Sequence, residues 1–515
     1  MEADYIVVGT GSAGSVIAAR LSADPSVQVI ALEAGPHDKS RFVRIPAGFA
    51  KLFRGPMDWE YYTEPQKELD GREIYWPRGK MVGGSSSMNA MMWVRGFAAD
   101  YDEWGEAAGE QWNYAHLEPY LRRIEAGPLS ITAQRSPRSS TAKWLEAVQQ
   151  CGYRVEKPNQ AAPEGFCETL VTQRRGARWS AADAYLKPAL KRRNLTLETE
   201  ALATRIVFDG HRAVGVEVEQ QGSRRVIRAR REVVLCGGAI NSPQLLMLSG
   251  IGDGERLAEH GIPTLVHAPQ VGANLADHFI AALGFDVPND SLFAAEKPLQ
   301  LLNYLLRRRG MLTSNVGEAY GFVRSRPDLA LPDLELLFAP APYFEEGIGD
   351  PYDTHAVVLG AILVKPASTG AIELRSADPR DKPIIDPRYL TDPADRAALM
   401  SGLRMCATIA RAPALEGVIG RIARPLEATT LDDHTLERAL ATVSHTLYHP
   451  TGTCRMGRDD ASVVDPDLRV RGADGLRVAD ASVMPTIIRG HTHAPSVLIG
   501  EKAAELLGVN SRKVP

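Results

Sequence analysis

The chain has 515 residues, 44% of them hydrophobic and 24% charged, and a formal net charge of −4. A length of this kind favours two domains over one core, and the composition is that of a folded globular protein. Near-balanced charge with no long block of one sign argues against a nucleic-acid-binding surface, and the 45 glycines and 34 prolines mark turns rather than low complexity.

The N-terminus lacks the basic region, apolar core and small-residue cleavage site of a secretory signal. No run of about 18 apolar residues occurs, so a transmembrane segment is not expected, while peripheral membrane association stays open. The basic pair Arg230-Arg231 and the triplet Arg307 to Arg309 read as solvated faces. Cys151, Cys167, Cys236, Cys406 and Cys454 are odd in number and far apart, which fits neither a disulfide framework nor a zinc site. A reducing, cytoplasmic setting and no metal are the expectations.

Tyr5 to Val8 reads as a buried strand that runs into Gly9-Thr10-Gly11-Ser12-Ala13-Gly14 and then into SVIAARLS, with helical apolar spacing. In such a turn Gly9 allows the tight bend, Gly11 admits a pyrophosphate, Gly14 lets helix and strand pack closely, and the helix N-terminus favours the anion. A second apolar strand, Val27 to Leu32, ends at Glu33, about 20 residues beyond the glycines, where an acid suits ribose hydroxyls. Dinucleotide binding follows, but the turn does not choose between NAD and FAD. A second cluster, Arg78 to Asn89, crowds small residues and hydroxyls into one loop whose amides can meet phosphates or a flavin edge. Further on, Gly370 to Ser376 alternates as a half-buried strand does.

Three longer segments carry a resemblance. GKMVGGSSSMNAMMWVRGFAADYD (79–102), GAINSPQLLMLSGIG (238–252), and HPTGTCRMG (449–457) with GLRVADASVMPTIIRGHTHAPSVLIGEKAAELL (475–507) resemble the glucose-methanol-choline (GMC) family of FAD oxidoreductases. VGANLADH (271–278) and KPASTGAIELRSADP (365–379) are smaller similarities. The resemblance implies an α/β, Rossmann-like FAD-binding domain built from discontinuous segments (1–128, 186–278 and 440–515), with an α+β substrate domain on an antiparallel sheet (129–185 and 279–439). It implies adenosine and pyrophosphate contacts from Gly9, Gly11, Ser12, Ala13, Gly14 and Glu33. It also implies flavin-side contacts from Gly84, Ser85, Asn89, Ala90 and Met91, an adenine contact near Ala203, and closing contacts from Asp480, Ala481 and His493. Met88 stands where some members carry a histidine bonded covalently to flavin, so FAD is expected to be held noncovalently.

Alcohol dehydrogenation removes a hydroxyl proton and a hydride from the same carbon. Neutral histidine suits the first task near its ordinary pKa of about 6.5, and by resemblance His449 is the general base. His493, just before Ala-Pro, is the expected hydrogen-bond partner of the alkoxide, although His491 two residues earlier shares its face in an extended segment. His445 is expected to be structural. Phe338 to Phe344 could line the substrate pocket, and Glu318 is a candidate contact for a polar or cationic substrate. The implied partners are a small-molecule alcohol and an electron acceptor, either a quinone or another carrier, or dioxygen. An FAD-containing lyase resembling hydroxynitrile lyases and a noncatalytic FAD-binding protein are the competing readings.

Overall fold

The computed structural model describes residues 1–344 and 352–509. The first strand, Glu2–Val8, begins three residues before the expected run and is buried from Ala3 onward. It pairs in parallel with Val29–Leu32 on one side and with Ser223–Leu235 on the other. The helix Ser12–Leu21 makes the crossover between the first two strands. Leu195–Glu198 extends the sheet beyond Val29–Leu32, and Leu476–Val478 lies parallel against the end of Ser223–Leu235. Segments from the beginning, middle and end of the chain thus share one parallel core, whose strands read as continuous apolar runs because both faces are covered. The first half of Ser223–Leu235 departs from this pattern. It is largely exposed and pairs antiparallel with Arg212–Gln220, which in turn pairs with Leu202–Asp209.

Among the described residues a second sheet of seven strands is antiparallel; six run in the spatial order Ile422–Arg424, Phe279–Asp286, Ala356–Leu363, Leu334–Ala339, Ala319–Val323, Phe166–Glu168, and the seventh, His445–Thr446, pairs with Phe279–Asp286 off this path. Its alternation sorts side chains between two faces. Phe279, Ala281, Leu283, Leu359, Ala361 and Phe338 join the main core, on the side where Gly402 of the helix Pro393–Ala410 brings its backbone close to Ala361. Ile280, Leu337, Ala339 and Val358 face a cavity instead. His445–Thr446 pairs with Phe279–Ile280, so the crossing expected near residue 440 is followed by one more strand of the second sheet. The alternating run at 370–376 forms the strand Ala371–Glu373, paired with Ile384–Asp386 in a separate two-stranded sheet. All five cysteines are free, and no helix among the described residues is long and apolar enough to cross a membrane.

The C-terminal helix His493–Leu506 packs on Ser12–Leu21 and is tied to it by an ion pair. The Arg20 guanidinium donates to the Glu501 carboxylate at 2.8 and 3.1 Å, with both residues buried. Removing one member of such a pair strands the other charge in the interior. Glu501→Leu is therefore expected to lower unfolding free energy by about 3–5 kcal/mol. Arg20→Met combined with Glu501→Leu should recover much of that loss, as read from denaturant unfolding curves.

Candidate active site

A cavity of about 310 Å³ runs between the two sheets. One wall is the glycine turn. Gly9 has φ +98°, and a Cβ there would overlap the carbonyl oxygen of Cys236. A Cβ on Gly11 would find its nearest neighbour, Gly84 Cα, 4.0 Å away, which leaves this stretch of backbone open to the cavity. Ser12 and Ala13 line the cavity as well, whereas Gly14 does not. Its Cα instead faces the Gly9 carbonyl and the Cys236 side chain, the close helix–strand packing that the motif reading expected of it.

Glu33 sits at the end of its strand and lines the cavity, but much of its carboxylate serves the turn. Oε2 accepts from the Thr10 amide (3.1 Å) and hydroxyl (2.7 Å), and Oε1 accepts from the Gly35 amide (3.0 Å). Burial pushes its pKa up, against the pull of these donors. Thr10, unmarked in the sequence, also accepts from the Gly83 amide at 3.0 Å and so holds the second glycine loop against the first. Ala203 lines the cavity near Glu33, whose carbonyl accepts from the Ala201 amide at 2.9 Å.

In the second loop Gly84, Ser85, Asn89, Ala90 and Met91 all line the cavity, as does Met88. Asn89 is fixed by Arg178, a fully buried residue whose guanidinium donates to Asn89 Oδ1 at 2.7 Å and to the carbonyls of Val43 and Ser86. Burial lowers the Arg178 pKa to about 9. Asp480 and Ala481 line the cavity too. Asp480 Oδ2 accepts from the Gly238 amide (2.9 Å) and the Ser242 hydroxyl (2.6 Å) at the start of the helix Gly238–Leu248.

Three helix N-termini, at Ser12, Gly238 and His493, therefore open onto one cavity. This is a favourable field for an anionic group. A Cβ on Gly238 would have nothing within 4 Å, and His493 Nε2 is buried without a hydrogen-bond partner. Clear backbone, an orphaned ring nitrogen and converging amides fit a phosphate-bearing dinucleotide with a polar ring.

His449 lies where the second sheet meets this wall. Its backbone follows Tyr448, whose φ of +67° is a left-handed conformation that costs an aromatic residue about 1–3 kcal/mol. Hydrogen bonds hold the turn. The Tyr448 amide donates to Thr446 Oγ1 (2.7 Å), the His449 amide to Asp277 Oδ1 (2.7 Å), and the Thr446 hydroxyl to Asp277 Oδ2 (2.6 Å). Burial raises the Asp277 pKa to about 6.

The neighbouring His278 holds the ring. Its Nε2 lies 3.0 Å from the Ile488 carbonyl and its Nδ1 lies 2.9 Å from His449 Nδ1. A carbonyl only accepts, so His278 Nε2 carries a proton. Burial lowers the His278 pKa to about 3, so the ring is neutral and its Nδ1 is an acceptor. His449 must then donate from Nδ1. Its Nε2, with no hydrogen-bond partner among the described residues, keeps a lone pair at the cavity wall. Burial, with the positive charge of Arg78 adding to it, pushes the His449 pKa well below the histidine range.

The structure does not bring His493 against His449. The neighbouring ring is His491, with centroids 4.8 Å apart, and its Nε2 lies 3.1 Å from the fully buried Glu335 carboxylate. His493 turns instead to the glycine turn, its Nδ1 3.0 Å from Ser12 Oγ. Glu318, the candidate substrate contact, is buried and saturated by the Arg138 amide and the Thr141 and Ser314 hydroxyls, each at 2.6 Å. Of the Phe338–Phe344 stretch, Ala339 and Tyr343 line the cavity, while Phe338 stacks on Trp144 in the core. Residues 345–351 lie outside the described residues. His445, expected to be structural, also borders the cavity.

Sequence models of the GMC oxidoreductase family match residues 3–280 and 366–500, and the chain belongs to that family. It is 66% identical to an uncharacterised GMC-type oxidoreductase of Mycobacterium tuberculosis, over 98% of this chain and 99% of that one. It is 39% identical to the alcohol dehydrogenase [acceptor] of Pseudomonas putida, over 98% and 95% of the two chains. The solved pyridoxine 4-oxidase from Mesorbium loti superposes with a TM-score of 0.88 at 30% identity, covering 98% of each chain. The protein is an oxidoreductase acting on CH–OH groups.

His278→Leu removes the acceptor that orients His449 and is expected to slow anaerobic flavin reduction by an alcohol on the order of 100-fold. FAD content should be unchanged. His278→Asn, whose amide oxygen can still accept, should retain more of the rate, and stopped-flow absorbance distinguishes the two variants.

Proposed function

We propose that the protein oxidises an uncharged, largely apolar alcohol to the aldehyde or ketone, with His449 Nε2 taking the hydroxyl proton. The observation that carries this reading is the His278–His449 hydrogen bond, which leaves that lone pair facing the cavity. FAD, the cofactor of this family, supplies the hydride acceptor.

His491 is the second catalytic group in this reading. The fully buried Glu335 carboxylate holds the His491 ring through its Nε2, its one side-chain hydrogen-bond partner among the described residues. The His491 ring, beside His449, is assigned as the hydrogen-bond partner of the developing alkoxide. His493 is reassigned to the cofactor. With Ser12 it stands at the convergence of two helix N-termini, and its orphaned Nε2 is available to a ligand atom. Gly9, Gly11, Ser12, Ala13 and Glu33 are assigned to the adenosine-diphosphate part, with Ala203 at the adenine. Gly84, Ser85, Asn89, Ala90, Met91, Asp480 and Ala481 are assigned to the flavin part. Met88 offers a thioether where covalent attachment would need a ring nitrogen, so acid should release the flavin from the polypeptide.

The cavity wall near His449 supports the substrate class. Phe49, Phe53, Ile280, Val316, Val358 and Tyr343 contribute apolar and aromatic surface. Among the described residues the acids lining the cavity are Glu33 and Asp480, both assigned to the cofactor, which leaves no cavity-lining carboxylate of the described residues for a cationic alcohol. The cofactor unit in this reading comprises 1–128, 186–278 and the chain after Thr446, and the substrate unit comprises the rest. The free cysteines agree with action in a reducing, cytoplasmic compartment.

Anaerobic alcohol addition should bleach the bound flavin, and admission of air or a quinone then identifies the acceptor. His449→Ala should slow the bleaching by roughly 100- to 10,000-fold with FAD still bound. His491→Ala should cost on the order of 3 kcal/mol in the same step. His493→Ala should chiefly weaken FAD retention, and the reverse order for the last two variants would restore His493 as the alkoxide partner.

The base works only while neutral, so activity is present above its folded-state pKa and lost as pH falls through it. Because that pKa is depressed, the rate of flavin reduction should stay level as pH is lowered through 6.5, the ordinary histidine value. A midpoint near 6.5 in the rate profile would show that the base is not the buried His449.

A further inference from the structure

The helix Pro298–Arg307 is turned inside out. A surface helix ordinarily buries its apolar stripe. Here Leu299, Leu301, Leu302, Leu305 and Leu306 are 77, 42, 52, 59 and 75% exposed. At about 100° per residue they occupy one continuous arc of roughly 160°. The inward face is the polar one: the buried Tyr304 donates its hydroxyl to the Arg44 carbonyl at 3.1 Å, and Gln300 accepts from the Met311 amide at 3.4 Å. Phe293, in the preceding turn Leu292–Glu296, adds a further exposed ring.

Charge surrounds the leucines with one sign. Lys297 precedes the helix, and Arg307, Arg308 and Arg309 end it. All four are exposed and make no ion pair among the described residues, although the Arg308 guanidinium lies over the Tyr304 ring, 4.6 Å from its centroid. The adjacent Glu296 is bonded to Lys51 at 2.7 Å. The chain as a whole is acidic, at −4, so this concentration of cations is local.

We propose that this helix docks the enzyme on an anionic lipid bilayer, its leucines entering the interface and Lys297 and Arg307–Arg309 meeting the headgroups. An outward apolar face with basic flanks is the arrangement by which a helix lies in a membrane surface. A two-fold contact with a second copy would set the same cations against one another, which disfavours that occupant. The position suits the chemistry. The turns on either side of the helix, Leu292–Glu296 and Met311–Thr313, share one small apolar cluster with Phe49, Val316 and Ala339 of the cavity wall. Docking would therefore set the apolar part of the cavity one layer of side chains from the lipid.

Flotation of the full-length FAD-bound protein with vesicles of phosphatidylcholine, with and without phosphatidylglycerol, tests the proposal. The native chain should float with the anionic vesicles, less at high salt, and far less with phosphatidylcholine alone. Leu302→Glu with Leu306→Glu, and separately Arg307→Gln with Arg309→Gln, should each lower partitioning by roughly tenfold or more. Turnover of a water-soluble alcohol with a soluble acceptor should be unchanged in both, which reports an intact fold independently of the vesicle readout. Failure of the native chain to float with anionic vesicles would overturn the proposal, as would equal flotation of both variant pairs. A native dimer by light scattering that the leucine pair converts to monomer, without vesicle binding, would assign the face to a second copy.

Discussion

The hydrogen bond between the His278 and His449 rings decides which nitrogen of His449 faces the cavity, and the surrounding architecture keeps that bond in register. His278 immediately precedes the strand Phe279–Asp286, and His449 follows the strand His445–Thr446 that pairs with it. Asp277, one residue earlier, accepts the His449 amide, while the Ile488 carbonyl takes the far side of the His278 ring. Backbone and side chain of His449 are thus held by consecutive residues of one segment. The left-handed Tyr448 is tolerable because hydrogen bonds on both sides of it leave the turn little alternative.

Burial gives these contacts their leverage. The same desolvation that depresses the His449 and His278 pKa values keeps both rings neutral and their donor and acceptor roles fixed. It also makes the Glu335–His491 contact consequential, since a carboxylate without solvent must find its hydrogen-bond partner locally. At the other end of the cavity the principle is different. Glycines clear the backbone and helix N-termini supply amides, with Thr10, Arg178 and Asp480 bracing the loops from behind.

Much of this was legible in the sequence because it depends on local chemistry. The strand, turn and helix at residues 2–21 follow from apolar runs and glycines, and the Gly84–Met91 loop, singled out by its motif, lies on the cavity wall. What depends on distant partners was not legible. His491 and His493 are indistinguishable by spacing. Their contacts differ through Glu335 and Ser12, 156 and 481 residues away. The Asp-His pair in VGANLADH was visible as a similarity, and two such residues in one motif could have flagged the support for His449. Glu318 looked available for a cation, yet three donors from separated segments consume its carboxylate. The leucines of Pro298–Arg307 carry helical periodicity, but periodicity does not say which side faces out.

The central claim is a protonation pattern, and nitrogen NMR of the imidazole rings in the oxidised, FAD-bound protein reads it directly. With the His449 resonances assigned by comparison with His449→Gln, the account predicts a protonated Nδ1 and an unprotonated Nε2 at neutral pH, unchanged as pH is lowered through 6.5. A proton on Nε2 at neutral pH, in either the opposite tautomer or the imidazolium, would contradict it.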